Sequence, residues 1–359
     1  MAAIGSYLLW SAGAAIPLLR LDLEISRTLA GLHNVAVGIS APLGARLAVP
    51  LINRFGRERV MHAMLFFMFC GVMVLVTAPS ILFTVPAVGC AAFSQTMVNA
   101  ISLAQISHDN APSMRRMMVQ TGIQAVVGAS AILIISASLH AGNGWRLPII
   151  VGALILTPIS FFSIRKVLFL APESTHPHPT DIFTRALKTR LVAFGAINSI
   201  LEVGIGFWAL DLLVSREAPV ALGALGAAIM SYGIATGRLS LALFQPDPQL
   251  VMRIAMFAIV CGVSIICVFE DPIITMVGLT ISAIGIAPLF GMGAFRVSEG
   301  FSHAEFRISR YMMGASFCYG FAPFMLAIVF DNFGYVVGYA GLIPVAIACY
   351  LLWKINGKH

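Results

Sequence analysis

Apolar stretches long enough to cross a bilayer follow one another along nearly the whole of this chain. Twelve spans are predicted: 2–19, 29–52, 60–77, 81–106, 116–139, 147–164, 190–212, 219–241, 250–268, 273–295, 310–330 and 334–353. A helix needs about 20 apolar residues to cross the hydrocarbon core. Inside lipid every backbone N–H and C=O must be bonded within the structure, so only helices or a closed barrel can span it. The stretches are continuously apolar and lack the alternation of barrel strands. The expected fold is therefore all-α and integral to the membrane. Charge agrees. Only 10% of the 359 residues are charged, against about 25% in a soluble domain. That excludes a water-soluble enzyme, a nucleic-acid binder and a disordered chain.

One polar stretch is long, residues 165–189, rich in Pro, His and charge. It divides the chain into residues 1–164 and 190–359, with six spans each, joined by a linker. Numbering the loops alternately with Met1 inside puts 18 of the 22 basic residues on one side. By the positive-inside rule that side is cytoplasmic. Both termini and the linker are then expected on the cytoplasmic face of a cell membrane. A missed span would scramble the split, so it supports the count as well as the orientation. The first 19 residues lack a basic leading region and read as the first membrane helix rather than a removed signal. The six cysteines (Cys70, Cys90, Cys261, Cys267, Cys318, Cys349) lie in apolar runs with no C-x-x-C pair. They read as packed small hydrophobes, with no disulfide framework, metal site or cofactor expected.

The halves also share short matches at nearly one offset. Arg46-Leu47 pairs with Arg238-Leu239, Ala63-Met64 with Ala255-Met256, and Arg116-x-Met118 with Arg310-x-Met312. Parallel repeats about an axis along the membrane normal are a transporter architecture.

The loop between the second and third spans carries the most specific motif. Leu51, Arg54, Gly56 and Arg57 match the signature G-x-L-x-D-R-x-G-R-[RK], with Val49 for the first Gly, Asn53 for the Asp and Glu58 before Arg59. In this the chain resembles the major facilitator superfamily, and Gly237-Arg238-Leu239 is similar to its second-half remnant. The resemblance implies twelve helices in two pseudo-symmetric six-helix bundles, and a cytoplasmic charge network in which Asn53 brings no charge. It assigns Asn53, Arg54, Gly56, Arg57 and Arg238 to gating. The family's fourth-helix Arg motif and fifth-helix antiporter motif have no counterpart. The stretch from Glu202 to Trp208 is weakly similar to the sugar-permease-like branch.

An ionisable side chain in mid-membrane costs at least ~2.5–3.5 kcal/mol and calls for a reason. Glu202, about 12 residues into the seventh span, is the clearest case. Desolvation favours a neutral carboxyl, as a proton carrier requires. Glu202 is expected to couple transport to protons, or else to tie helices together. Gln95, Asn99 and Ser102 share one helix face, and Gln120 and Gln124 stand one turn apart. Gln95, Asn99, Gln124 and Asn198 are expected to line a solute cavity, with interhelical bonding as the alternative. Trp208 and Tyr319, with Trp10 and Phe290, could form aromatic walls. Arg46 and Arg238 are expected to snorkel to the inner surface, or to pair with Asp109, Glu299 or Glu305 as gates. Gly233-x3-Gly237 and Gly334-x3-Gly338 should allow close helix contact.

These features predict a monomeric secondary transporter that moves a small neutral or hydrogen-bonding solute by alternating access. Its partners would be that solute, a proton or other ion gradient and the bilayer, with no nucleic acid. Drug or metabolite efflux by antiport is the alternative. A membrane-embedded enzyme is a further rival, because His176 and Asp181 match an H-x4-D acyltransferase pattern. A receptor is another.

Overall fold

A computed structural model describes residues 2–78, 80–107, 114–167, 184–298 and 304–356. The first half contains α1 (Ala2–Leu23), α2 (Arg27–Phe55), α3 (Arg57–Thr77), α4 (Ile81–Ser107), α5 (Met114–His140) and α6 (Arg146–Val167). The second contains α7 (Arg185–Gly206), α8 (Ala209–Ser215), α9 (Val220–Phe244), α10 (Pro248–Val268), α11 (Pro272–Ile286), α12 (Leu289–Ser298), α13 (Ala304–Ala340) and α14 (Leu342–Asn356). These fourteen helices make the twelve expected crossings. Two apolar spans, Arg185–Ser215 and Pro272–Ser298, each join two helices across a short break. The second break falls at Ala287-Pro288, where the proline has no N–H to continue the ladder. The eleventh and twelfth crossings meet at Gly334, inside α13, whose φ is 80°.

Helix starts follow local chemistry. Ser26, Thr184 and Asp247 each accept a hydrogen bond from the backbone N–H three residues on, at 3.1, 3.3 and 2.8 Å. Asp271 accepts from both Ile273 and Ile274. Such caps satisfy donors that a helix end leaves open. Pro248 and Pro272 stand directly after their caps, where a missing N–H costs nothing.

Large apolar side chains face outward, among them Phe162, Phe244 and Leu82, each more than three-quarters exposed. In water such a surface would aggregate or find a partner; in a bilayer lipid covers it.

The two halves meet along α5 against α9 and α2 against α13. Small residues allow the approach. A Cβ at Gly320 would lie 2.1 Å from the Gly38 backbone nitrogen. Hydrogen bonds cross the other seam, among them Ser130 with Tyr232, 2.7 Å between hydroxyls, and the Ser136 hydroxyl to the Ala221 carbonyl at 2.8 Å. Gly233 and Gly237 let α9 approach α11, where added Cβ atoms would meet Ala283 and Ala287 at 3.2 and 2.6 Å. Gly334 differs from its predicted packing role. It is the left-handed corner between two crossings, a conformation that glycine adopts without a Cβ penalty.

Gly320→Ala should therefore cost about 1–3 kcal/mol, the range for overpacking a tight contact. The clash is with backbone, so no rotamer change relieves it. Thermal unfolding of the purified variant checks this; a wild-type midpoint would mean that the α2–α13 seam can open.

Candidate solute cavity and the charged groups around it

A cavity of about 140 Å³ opens between the halves. Its walls come from α1, α2, α4 and α5 on one side and from α7, α8, α9 and α13 on the other. Glu202 lines it, as do Trp10 and Tyr319.

Glu202 is paired. Its Oε1 accepts from Arg238 Nη2 at 2.6 Å, and the two side chains are 15% and 6% exposed. Arg238 Nε also donates to the Ala287 carbonyl at 3.2 Å, at the break that ends α11. Arg238 therefore does not snorkel. It turns inward because an acidic partner and an open carbonyl both lie within its reach. Its partner belongs to the same half, and is none of the acids suggested from the sequence. Asp109 and Glu299, and the side chain of Glu305, lie outside the described residues, as do His176 and Asp181. Arg46 is exposed, as a snorkelling arginine should be. Arg238 stands behind Glu202, and Glu202 faces the cavity.

The other expected cavity residues divide. Tyr319 lines the space, whereas Asn198 and Trp208 are fully buried beside it. Asn198 Nδ2 donates to the Tyr311 hydroxyl at 2.7 Å and the Leu289 carbonyl at 3.1 Å, and its Oδ1 accepts from Cys349 Sγ. Asn198 stands one turn before Glu202 on α7, but its amide is taken up by α12, α13 and α14. Trp208 Nε1 donates to the Pro323 carbonyl at 2.9 Å. Both tie helices of the second half together.

The amides of α4 and α5 come together in bonds between helices, the alternative to the expected cavity lining. Asn99 Oδ1 accepts from Gln95 Nε2 and from Gln124 Nε2, both at 3.3 Å, and Gln95 Nε2 reaches Ser6 Oγ at 3.5 Å. Gly5 makes room for Gln95, whose carbonyl oxygen would lie 1.8 Å from a Cβ there. This cluster joins α1, α4 and α5, and none of its members lines the cavity.

The loop motif forms the tight corner its glycine suggested. Gly56 has φ 80° between α2 and α3, and its N–H donates to the Ile52 carbonyl at 2.8 Å. Asn53 and Arg54 are exposed there and Arg57 is half-buried, with Arg54 stacked on the Phe55 ring at 5.2 Å.

The opposite end carries a charged clasp that sequence reading missed. Asp211, fully buried on α8, pairs with Arg20 of α1 and with Arg27 of α2, the latter at 2.7 Å. The Tyr335 hydroxyl donates to the same carboxylate. Arg27 lies over the Tyr335 ring at 4.9 Å and reaches Asp331 at 3.4 Å. Thr28 adds its backbone N–H and hydroxyl to Asp331 at 2.8 and 2.7 Å. Every bond to these two carboxylates from Arg20, Arg27 and Thr28 crosses between the halves. The available signal was an aspartate in an apolar run and two arginines on the basic-poor side, but nothing in their spacing pairs them.

Solved structures of similar fold include a proton symporter and a nucleoside transporter. A D-xylose-proton symporter superposes with a TM-score of 0.72 at 13% identity, covering 99% of this chain and 97% of that one. The nucleoside transporter NupG does so with a TM-score of 0.71 at 12% identity, covering 100% and 98%. No curated protein sequence matches closely enough to count as a relative. The family model described as Major Facilitator Superfamily matches residues 1–305. A twelve-crossing bundle in two halves, a cavity between them and that match together show that the chain is a membrane transporter, not an enzyme, and belongs to the Major Facilitator Superfamily.

Proposed function

We propose that the protein is a proton-coupled carrier of a small neutral solute, working by alternating access in a cell membrane with both termini cytoplasmic. The observation that carries the reading is the Glu202 carboxylate on the wall of a cavity built by both halves, with Arg238 as its counter-ion. A proton delivered through the cavity to Glu202 cancels the charge that Arg238 holds. The pair then loosens, and a change in the cavity becomes a change in how α7 and α9 pack. The clasp around Asp211 supports a state closed at its own end, the outer one in the orientation proposed. Arg20, Arg27 and Thr28 bind the second half there only while that end is shut.

Proteoliposomes carrying a pH gradient, screened with radiolabelled neutral solutes, test the reading. Gradient-driven accumulation should collapse with a protonophore. It should also be lost in Glu202→Gln, whose amide cannot carry a proton, while solute counterflow persists. Undiminished accumulation in the variant would remove the proton role. A second reading, export of lipophilic compounds by proton antiport, is favoured by the largely apolar lining. Reversing the gradient separates the two, because import and export respond with opposite sign.

A further inference from the structure

One polar group on the cavity wall is unsatisfied. Asn34 of α2 lines the cavity, is 3% exposed, and its Nδ2 is buried without a hydrogen-bond partner in the protein. Buried donors of this kind are rare in native structures and call for a specific cause. The neighbouring polar groups do not supply a partner. Ser231, Glu202 and Tyr319 carry the other polar side chains on this wall, and none of them bonds Asn34 Nδ2. Tyr319, from the other half, lines the same space. Its neighbour Gly320 packs on the Asn34 backbone, where an added Cβ would stand 2.5 Å from the carbonyl oxygen. Asn34 and Tyr319 thus sit at one seam, one from each half. Most of the remaining wall is hydrocarbon, including Leu9, Ile16, Val37, Ile132, Phe207 and Ile234.

We infer that Asn34 is a specificity-determining residue, and that the solute is a compact, mostly apolar molecule with one hydrogen-bond acceptor, such as a ketone or lactone carbonyl, that accepts from Asn34 Nδ2 beside the Tyr319 hydroxyl. This rests on the proposed solute-carrying role of the same cavity. A polyhydroxylated solute would bury several hydroxyls against leucine, isoleucine and valine, and a buried polar group without a partner is strongly disfavoured. A single carbonyl satisfies the one open donor and leaves an apolar body for the apolar wall. Because the two polar groups belong to opposite halves, the same bound atom also links them.

The test uses the purified full-length protein and three probes: camphor, its hydrocarbon counterpart camphane, and D-xylose. A ligand that binds the folded state raises the melting temperature, and at one concentration the tighter ligand raises it more. Camphor should bind about two- to tenfold more tightly than camphane, the discrimination that one hydrogen bond of ordinary net strength supplies. D-xylose should give no shift. Asn34→Leu should abolish the preference for camphor while leaving camphane binding as it was, which a merely structural role for Asn34 would not do. Should that variant fail to fold, Tyr319→Phe is expected to reduce the same ratio. Equal or absent shifts for camphor and camphane in the wild type, a larger shift with D-xylose, or a preference retained in Asn34→Leu would each overturn the inference. Flux plays no part in these readings, so failure of proton-driven uptake and failure of this selectivity are separate results.

Discussion

Arg238→Ala is expected to destabilise the purified protein by about 3–5 kcal/mol, the cost of leaving one member of a buried ion pair without the other. Arg238 is only 6% exposed and Glu202 15%, so bulk water cannot replace the lost partner. The Ala287 carbonyl at the break between α11 and α12 loses its donor as well. Adding Glu202→Gln to Arg238→Ala removes the uncompensated charge and should restore most of the loss. The double-mutant cycle therefore carries a large coupling energy, and thermal or detergent-induced unfolding of the four proteins measures it. If Arg238→Ala costs the same with and without Glu202, the two residues do not act as a unit, and the proton reading loses its counter-ion. Arg238→Lys should recover little, because an ammonium is a point charge without the planar fork that serves both Glu202 and Ala287.

Asp211→Asn should open the clasped end. The aspartate is fully buried and takes hydrogen bonds from two arginines of the first half and a tyrosine of the second. Asparagine keeps the shape but removes the charge, leaving two half-buried guanidiniums facing a neutral group. If the clasp forms only when this end is shut, its loss counts against that state alone. A differential loss of about 3 kcal/mol would change the ratio of the two states by more than a hundredfold. Spin labels at Ser80 and Glu270, in loops at this end of the two halves, would report it. In a background freed of the six native cysteines, the distance distribution should move to longer separations in Asp211→Asn. An unchanged distribution would show that the clasp holds the fold together without choosing between states. Asp331→Asn should act in the same direction but more weakly, because its side chain is 20% exposed and water takes up part of the loss.

What could be foreseen at these sites depended on how local the signal was. Glu202 stood out because a carboxylate deep in an apolar run is costly wherever the helix packs. The Gly56 corner was legible because a left-handed turn between two helices leaves few residue choices. Helical spacing put Gln95 and Asn99 on one face, but spacing sets only which residues share a face, and not that this face would meet Gln124 instead of a cavity. Asn198 shows the limit. It lies one turn from Glu202, yet its amide bonds Tyr311 and Cys349 and does not line the cavity. Arg238 shows it again: its place near a helix end suggested the membrane surface, and its partner on another helix drew it inward. Asn34 carried no sequence signal, since an asparagine in an apolar run reads equally well as a bond between helices.

By itself the sequence determined the solvent, the number of crossings, the division into two halves and the superfamily. The first three rest on the length and polarity of the segments, which lipid imposes on each one separately; the superfamily rests on the motif around Gly56. Only the tertiary structure decided which charges meet. Arg238 and Glu202 are 36 positions apart, and the clasp joins residues 184, 191 and 308 positions apart. Such pairings depend on which helix packs against which, and on a rotation about each axis finer than one residue's step of 100°. An apolar pattern does not encode that angle; the packing of glycines such as Gly38 and Gly320 at the seams sets it, and with it the identity of the residues that line the cavity.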